Sequence, residues 1–375
     1  EPREERLEAV YFDTAGLALA ARRITLRRRT GGTDHGWHLK IPAGQDHRVE
    51  FQAPLGQPET VPAELADHLA AYLRGQDVGP VARLTTQRTT YALYGPDGQH
   101  LADFADDYVE AESFHGALDQ QWREWEIELV HGAEALFAAA TGPVTATGAQ
   151  PSGHVSKLAR ALGGSWPQEN NSGAAHPRKE GPAVHVVTAY LDGQINELLT
   201  DDAGVRQDKP DAVHAMRSAT RRGRSALATY RKLFNKTEAK KTTDELKWLA
   251  RILGGARDAE VLASRLRQHS HDLELTDTAG NLPALLDQDL TTAYNTGYQK
   301  VLETLGMTRY YKLLDSLENF RDHPPASYLA ARPARKMTAK LVDKTNRRLS
   351  QARKAVPKTK TNAERDAAPP LLSHR

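Results

Sequence analysis

The chain has 375 residues, no cysteine and a formal net charge of +2. That length admits two domains, no apolar run is long enough to span a membrane, and the N-terminus reads without a signal-peptide pattern. Disulfides and thiol chemistry are excluded, and the lack of cysteine suits a reducing cytoplasm. Divided, the charge becomes informative: residues 1–182 hold 17 Lys+Arg against 25 Asp+Glu, and residues 183–375 hold 33 against 23. The second part is suited to a polyanion, whether phosphate polymer, nucleic acid or anionic surface.

In chain order, Leu7–Phe12 reads as a strand and Asp13–Gly16 as a turn. Ile24–Glu50 then divides into three short strands separated by Gly- and Pro-containing turns. Ile24, Leu26 and Arg28 alternate with Thr25, Arg27 and Arg29. Trp37, Leu39 and Ile41 alternate with His38 and Lys40, and Val49 and Phe51 flank Glu50. With a period of two, each strand has one apolar face and one face of Arg, Lys or Glu. A half-buried sheet with its charges in water would satisfy this pattern. The charged face, however, is almost all long cations, and the inversion returns at Arg88 and at Glu124, Glu126 and Glu128. An antiparallel sheet closed into a barrel with that face inward would hold a polyanion and a divalent metal in one tunnel. His35 and His38 flank a turn and are expected to be exposed.

Ala63–Arg74 has apolar residues at helical spacing. Val81–Tyr94 returns to strand, the GPDG of residues 95–98 is a hairpin turn, and His100–Ala105 and Trp122–Leu129 are further strands. Ala133–Ala140 and His154–Leu162 are predicted helices. Gly163–Pro182 is a linker by composition, so the first domain is expected over residues 1–162. From Ala183 the pattern is helical: Val184–Thr200, Asp211–Leu233, then Glu245–Leu253 with Thr243 and Asp244 as N-caps and Gly254–Gly255 as its end. Ala256–His269, Pro283–Leu305, Met307–Arg321 and Ala326–Arg353 follow, giving an all-α bundle over residues 183–356. Pro357–Arg375 has the composition of a disordered tail.

The helix at Asp211 is basic. His214, Arg217, Arg221 and Arg224 share one face, Arg222, Arg231 and Lys232 widen it, and no Asp or Glu lies between His214 and Phe234. Ordinary solvated helices mix both signs. Aligned cations without acids repel one another unless an anion is bound, so this face is expected to hold phosphate, with His214 as a hydrogen-bond donor.

YFDT at Tyr11–Thr14, ITLRRR at Ile24–Arg29, GWHLKIP at Gly36–Pro42, the Arg48/Glu50 pair and EIEL at Glu126–Leu129 occur in the order found in the CYTH family, the triphosphate tunnel metalloenzymes, which the first domain resembles. The resemblance implies that Arg27, Arg29, Lys40 and Arg88 hold phosphate oxygens, with Lys40, Glu50 and Arg88 serving catalysis. It implies Glu126 and Glu128 as ligands of Mg²⁺ or Mn²⁺, completed by Asp106 or its neighbour Asp107, with Asp106 taken into the set. Family members usually open with an E-x-E-x-K strand; the EPREERLEAVYFDT start departs from that pattern, and the domain is expected to lack its first strand.

The second domain resembles the CHAD domain, a helical bundle of two similar halves associated with inorganic polyphosphate. The resemblance is carried by H-x-M-R-x-x-x-R-R-x-R from His214 and by ELKWLARILGGARDAEVL at Glu245–Leu262. It adds Lys247 and Arg251 to the polyphosphate-binding residues His214, Arg217, Arg221, Arg222 and Arg224. Met337–Lys354 supplies another basic helix, but NAERDAAPPLLSHR follows where a second His/Arg helix is expected, so the second half reads as incomplete. Together these imply metal-dependent hydrolysis of inorganic triphosphate or short polyphosphate, with polyphosphate held by the helical domain. The alternative is a polyphosphate-binding protein without turnover. Nucleic acid is disfavoured as a partner because the basic helix lacks interleaved aromatics for stacking.

Overall fold

A computed structural model describes residues 1–42, 47–167, 176–272 and 282–355. The chain divides into two compact units, residues 1–170 and 171–375. The predicted tail at 357–375, with the segment read as an incomplete second half, and much of the predicted linker lie outside the described residues.

The first unit is built on strands β1 (Arg3–Asp13), β2 (Thr25–Thr30), β3 (Gly36–Pro42), β4 (Arg48–Ala53), β5 (Gly79–Tyr94), β6 (His100–Ser113) and β7 (Gln120–Leu129). They form one antiparallel sheet in the order β4-β3-β2-β1-β5-β6-β7. β1 is a central strand, and β4 and β7 are its two ends, yet residues of both line one cavity, so the sheet curls around it. β6 runs well past the expected Ala105. Its acidic stretch ADDYVEAE hides a period of two, in which Ala105, Asp107, Val109 and Ala111 are buried.

Two apolar clusters fix the curl. Phe12, Leu26, Trp37 and Leu39 point away from the cavity and pack with Leu65 and Leu69 of α1 (Ala63–Leu73). Ala9, Tyr11, Leu84, Val109 and Trp122 point inward and receive Leu158, Ala161 and Leu162 of α3 (Lys157–Leu162). The same inner face is therefore apolar and filled at one end and charged at the other. α2 (Ala135–Ala146) precedes α3, and residues 163–165 continue α3 as a 3-10 turn, with Trp166 on the core. In the YFDT stretch the buried Asp13 carboxylate accepts the backbone N–H of Thr14 (2.7 Å), Leu19 (2.9 Å) and Ala20 (2.8 Å), which holds the turn leading into β2.

The second unit is helical: α4 (Ala183–Arg206), α5 (Ala212–Thr229), α6 (Lys236–Asp272), α7 (Leu282–Leu305), α8 (Thr308–Asp322) and α9 (Ala334–Ala355). The expectation that a helix starts at Thr243–Asp244 and ends at Gly254–Gly255 is corrected: α6 runs through both points. Neither glycine terminates the helix, and Gly254 serves packing. Gly254 is buried against Arg217 of α5, and α7 crosses so closely that a Cβ on Gly297 would lie 3.0 Å from the Ala256 backbone. The last helix also starts later than expected, at Ala334: residues 328–331 form turns, flanked by the isolated bridges Phe234–Ala326 and Pro182–Pro333. No helix among the described residues is long and apolar enough to cross a membrane.

Candidate active site

The charged end of the inner sheet face encloses a cavity of about 220 Å³. Period-two alternation sends Arg27 and Arg29 of β2, His38 and Lys40 of β3, Arg48 of β4, Arg88 of β5, and Glu126 and Glu128 of β7 toward it. The predicted phosphate ligands Arg27, Arg29, Lys40 and Arg88 thus share one space with two of the predicted metal ligands. Glu50 stands beside it, holding two lining residues: its carboxylate bonds His38 Nδ1 at 2.9 Å and Lys40 Nζ at 3.2 Å. Those contacts, the His38 hydrogen bond first, pull the Glu50 carboxyl down from 4.5 to about 2.

His38 was expected at the surface; it is 1% exposed. Its position on the cationic face of β3, opposite Arg27 in register, carries it inward although a turn lies nearby. His35 is exposed as expected. Inside, Arg27 Nε is buried with no hydrogen-bond partner, while His38, which donates to Glu50 through Nδ1, has its Nε2 3.6 Å from the Asp34 carboxylate. A buried guanidinium N–H normally finds a partner. Arg29 is held below the ordinary guanidinium range by burial and by the neighbouring positive charge of Arg27. The β2–β4 wall is therefore a crowded set of cations met by two acids, Asp34 on Arg29 and Glu50 on His38 and Lys40.

The opposite wall is acidic. Of the adjacent aspartates, Asp107 faces inward and is fully buried, whereas Asp106 lies on the other face of β6. There Asp106 takes both arms of Arg123 (2.8 and 2.7 Å) and the Trp125 indole N–H (2.9 Å). The inclusion of Asp106 in the metal set is corrected accordingly: adjacent residues of a strand point to opposite faces. Asp107, Glu124 and Glu126 each present an oxygen within 4.8 Å of the others. Such hard oxygen donors fit Mg²⁺ or Mn²⁺ better than zinc.

Two cations already meet this acidic wall. Arg88 bonds Asp107 through Nε and Nη2, both at 2.7 Å, and Glu126 through Nη2 at 2.8 Å. Lys157, the first residue of α3, places Nζ 3.1 Å from Asp107, 2.5 Å from Glu124 and 2.7 Å from Glu126. Burial alone would push both acids up, yet Asp107 and Glu126 stay below the ordinary carboxylate range, Asp107 through Arg88 and Lys157 and Glu126 through Lys157 and Arg88. Lys157 is raised in turn, its burial outweighed by Glu126 and Asp107. Sequence reasoning missed Lys157 because it sits in a helix, outside the strand period that marks the other site residues.

In the second unit, the predicted basic residues divide. His214, Arg221, Arg222, Lys247 and Arg251 are exposed, while Arg217 and Arg224 are half-buried. Arg217 lies against α6 at Gly254, one and two turns from Arg251 and Lys247, so the basic faces of α5 and α6 adjoin. Arg222 is engaged by the Gln194 amide oxygen (2.6 Å) and by Glu197, both of α4, so α4 supplies an acid that the run from His214 to Phe234 lacks. Arg221 and Arg224 border a groove of about 800 Å³ closed by Tyr190 of α4 and Thr345 of α9. Lys344 of α9 is pressed below the ordinary lysine range by Lys232 and Arg348, so cations of two more segments gather there.

The CYTH domain profile matches residues 1–142 and the CHAD domain profile residues 189–368. The chain carries a CYTH domain followed by a CHAD domain. The antiparallel sheet and the helical unit are the architecture expected of that order, and the CYTH assignment places the first unit with the triphosphate tunnel metalloenzymes, which are metal-dependent. Two relatives, "Uncharacterized protein MT2285" and "Uncharacterized protein Rv2226", both of Mycobacterium tuberculosis, are 43% identical over 329 residues. The match covers 84% of this chain and 63% of each relative. Among solved structures, PptA from Streptomyces chartreusis is similar over 47% of this chain and 61% of its own, with 26% identity and a TM-score of 0.41.

Proposed function

We propose that the CYTH unit hydrolyses inorganic triphosphate or short polyphosphate with a divalent metal, and that the CHAD unit binds inorganic polyphosphate. What carries this reading is one cavity with a cationic wall facing a carboxylate wall. Arg27, Arg29, Lys40 and Arg48 bind phosphate oxygens by charge-assisted hydrogen bonds, Arg through its bidentate fork. The buried Nε of Arg27, which has no hydrogen-bond partner of its own, donates to such an anion. Glu50 orients His38 and Lys40 from behind. Asp107, Glu124 and Glu126 would hold Mg²⁺ or Mn²⁺, which supplies Lewis-acid charge to the transferring phosphoryl group. In hydrolysis, the oxygen of a water bonds to the terminal phosphorus as the bond to the pyrophosphate leaving group breaks, and the cationic wall stabilises the charge that develops.

A second reading, binding without turnover, is favoured by one observation: Arg88 and Lys157 already neutralise the acids that would take the metal. Phosphate release from inorganic triphosphate, measured with Mg²⁺ or Mn²⁺ and with chelator, separates the two. Metal-dependent release is expected. Lys40→Ala and Glu126→Ala lower it by about 100-fold or more, the scale of one lost preorganised charge contact, and leave polyphosphate binding by the CHAD unit intact. Full activity in both variants would overturn the assignment.

A further inference from the structure

Lys157 does more than neutralise one acid. Its ammonium touches all three carboxylates whose oxygens converge, at 3.1, 2.5 and 2.7 Å, the position from which a single cation would contact all of them. The backbone that carries it is fixed. Ser156 caps α3 by accepting the Ala159 N–H, and Leu158, Ala159, Ala161 and Leu162 behind it are buried in the core. The side chain alone can leave, by rotating about its own bonds while the helix stays seated.

We propose that Lys157 is a tethered stand-in for the metal: a divalent cation enters the Asp107–Glu124–Glu126 cluster by displacing the Lys157 ammonium, so that this lysine sets the metal affinity of the site. The inference rests on the metal-binding part of the proposed function and adds a competitor that the chain itself supplies. Coulomb energetics give the direction. A monovalent ammonium and a divalent ion cannot share the same three oxygens, since like charges a few ångströms apart in a half-buried site repel strongly. Each binding event therefore costs the lysine its partners, and apparent affinity falls by the stability of those contacts.

The consequence is unusual for a lysine beside a metal site: removing it strengthens binding. Mn²⁺ titration of the full chain without any phosphate substrate, followed by the loss of the free-ion electron paramagnetic resonance signal, should give at least tenfold tighter binding for Lys157→Met than for wild type. Lys157→Met should also melt lower than wild type in chelator and regain more on adding Mn²⁺. A purely structural salt bridge would lower both melting points equally and leave affinity unchanged.

A readout on the wild-type chain covers the case in which the variant does not fold. Acetylation of Lys157 by a water-soluble ester, followed by peptide mass spectrometry, should be slow in chelator and accelerate on adding Mn²⁺, as the ammonium is released from its acids. Equal Mn²⁺ affinity in wild type and Lys157→Met, or acetylation that Mn²⁺ slows or leaves unchanged, overturns the role of Lys157 while leaving metal binding standing. No Mn²⁺ binding by either protein overturns both this proposal and the metal-dependent reading, and phosphate release in chelator would confirm that separate failure.

Discussion

At the scale of single residues, the cavity is organised by what stands one contact behind its lining. Glu50 fixes His38 and Lys40, and the gain from those contacts is visible in its titration. Its folded-state carboxyl titrates near 2 against an ordinary 4.5, so its contribution to stability is complete above about pH 4.5 and is lost as pH falls toward 2. Denaturant unfolding of wild type and Glu50→Gln should therefore show a constant difference at pH 5 and 7 that shrinks at pH 3. A difference growing toward low pH would assign Glu50 the opposite sign. The two adjacent aspartates make the same point by contrast: Asp106 and Asp107 are chemically identical and consecutive in the chain, yet one holds Arg123 on the outer face and the other Arg88 inside.

At the scale of elements, each unit depends on one close approach. In the CYTH unit, α3 closes the apolar end of the curled sheet and presents Lys157 to its charged end, so a six-residue helix links core packing to the site. In the CHAD unit, α6 and α7 touch at Gly297 with no room for a side chain. Gly297→Ala would gain helix propensity in isolation, since Ala is the better helix former. Against that, its Cβ meets backbone atoms of Ala256 at 3.0 Å, and backbone cannot rotate away. Overpacking wins here, with a net loss of about 1–3 kcal/mol expected in the unfolding of this unit. A gain in stability would show that the helices can separate freely.

At the scale of the whole molecule, the acidic first part and basic second part suggest two jobs that separate by mutation. Arg221→Glu should weaken polyphosphate binding about tenfold or more and make it less sensitive to salt, because it removes an exposed cation from the groove. Triphosphate hydrolysis by the same variant should be unchanged. Joint loss would mean that the substrate reaches the CYTH unit only through the CHAD unit.

Much of this was written in the chain. A period of two with cations in place of polar residues determined that Arg27, Arg29 and Lys40 share a face, because side-chain direction along a strand depends only on parity. Helical periodicity with missing acids likewise marked the face of α5, and the ordered motifs named both domains. Tertiary structure decided what parity and periodicity cannot express. Local pattern does not say which helix returns to a sheet: Lys157 lies 31 residues beyond Glu126 and reaches it only because Leu158 and Leu162 seek the same core as Trp122. Nor does it say what lies across a gap, so Glu197 beside Arg222 and Ala256 against Gly297 were invisible. Sequence determined which residues face the same way; only the fold, by bringing distant apolar surfaces together, decided which charges meet.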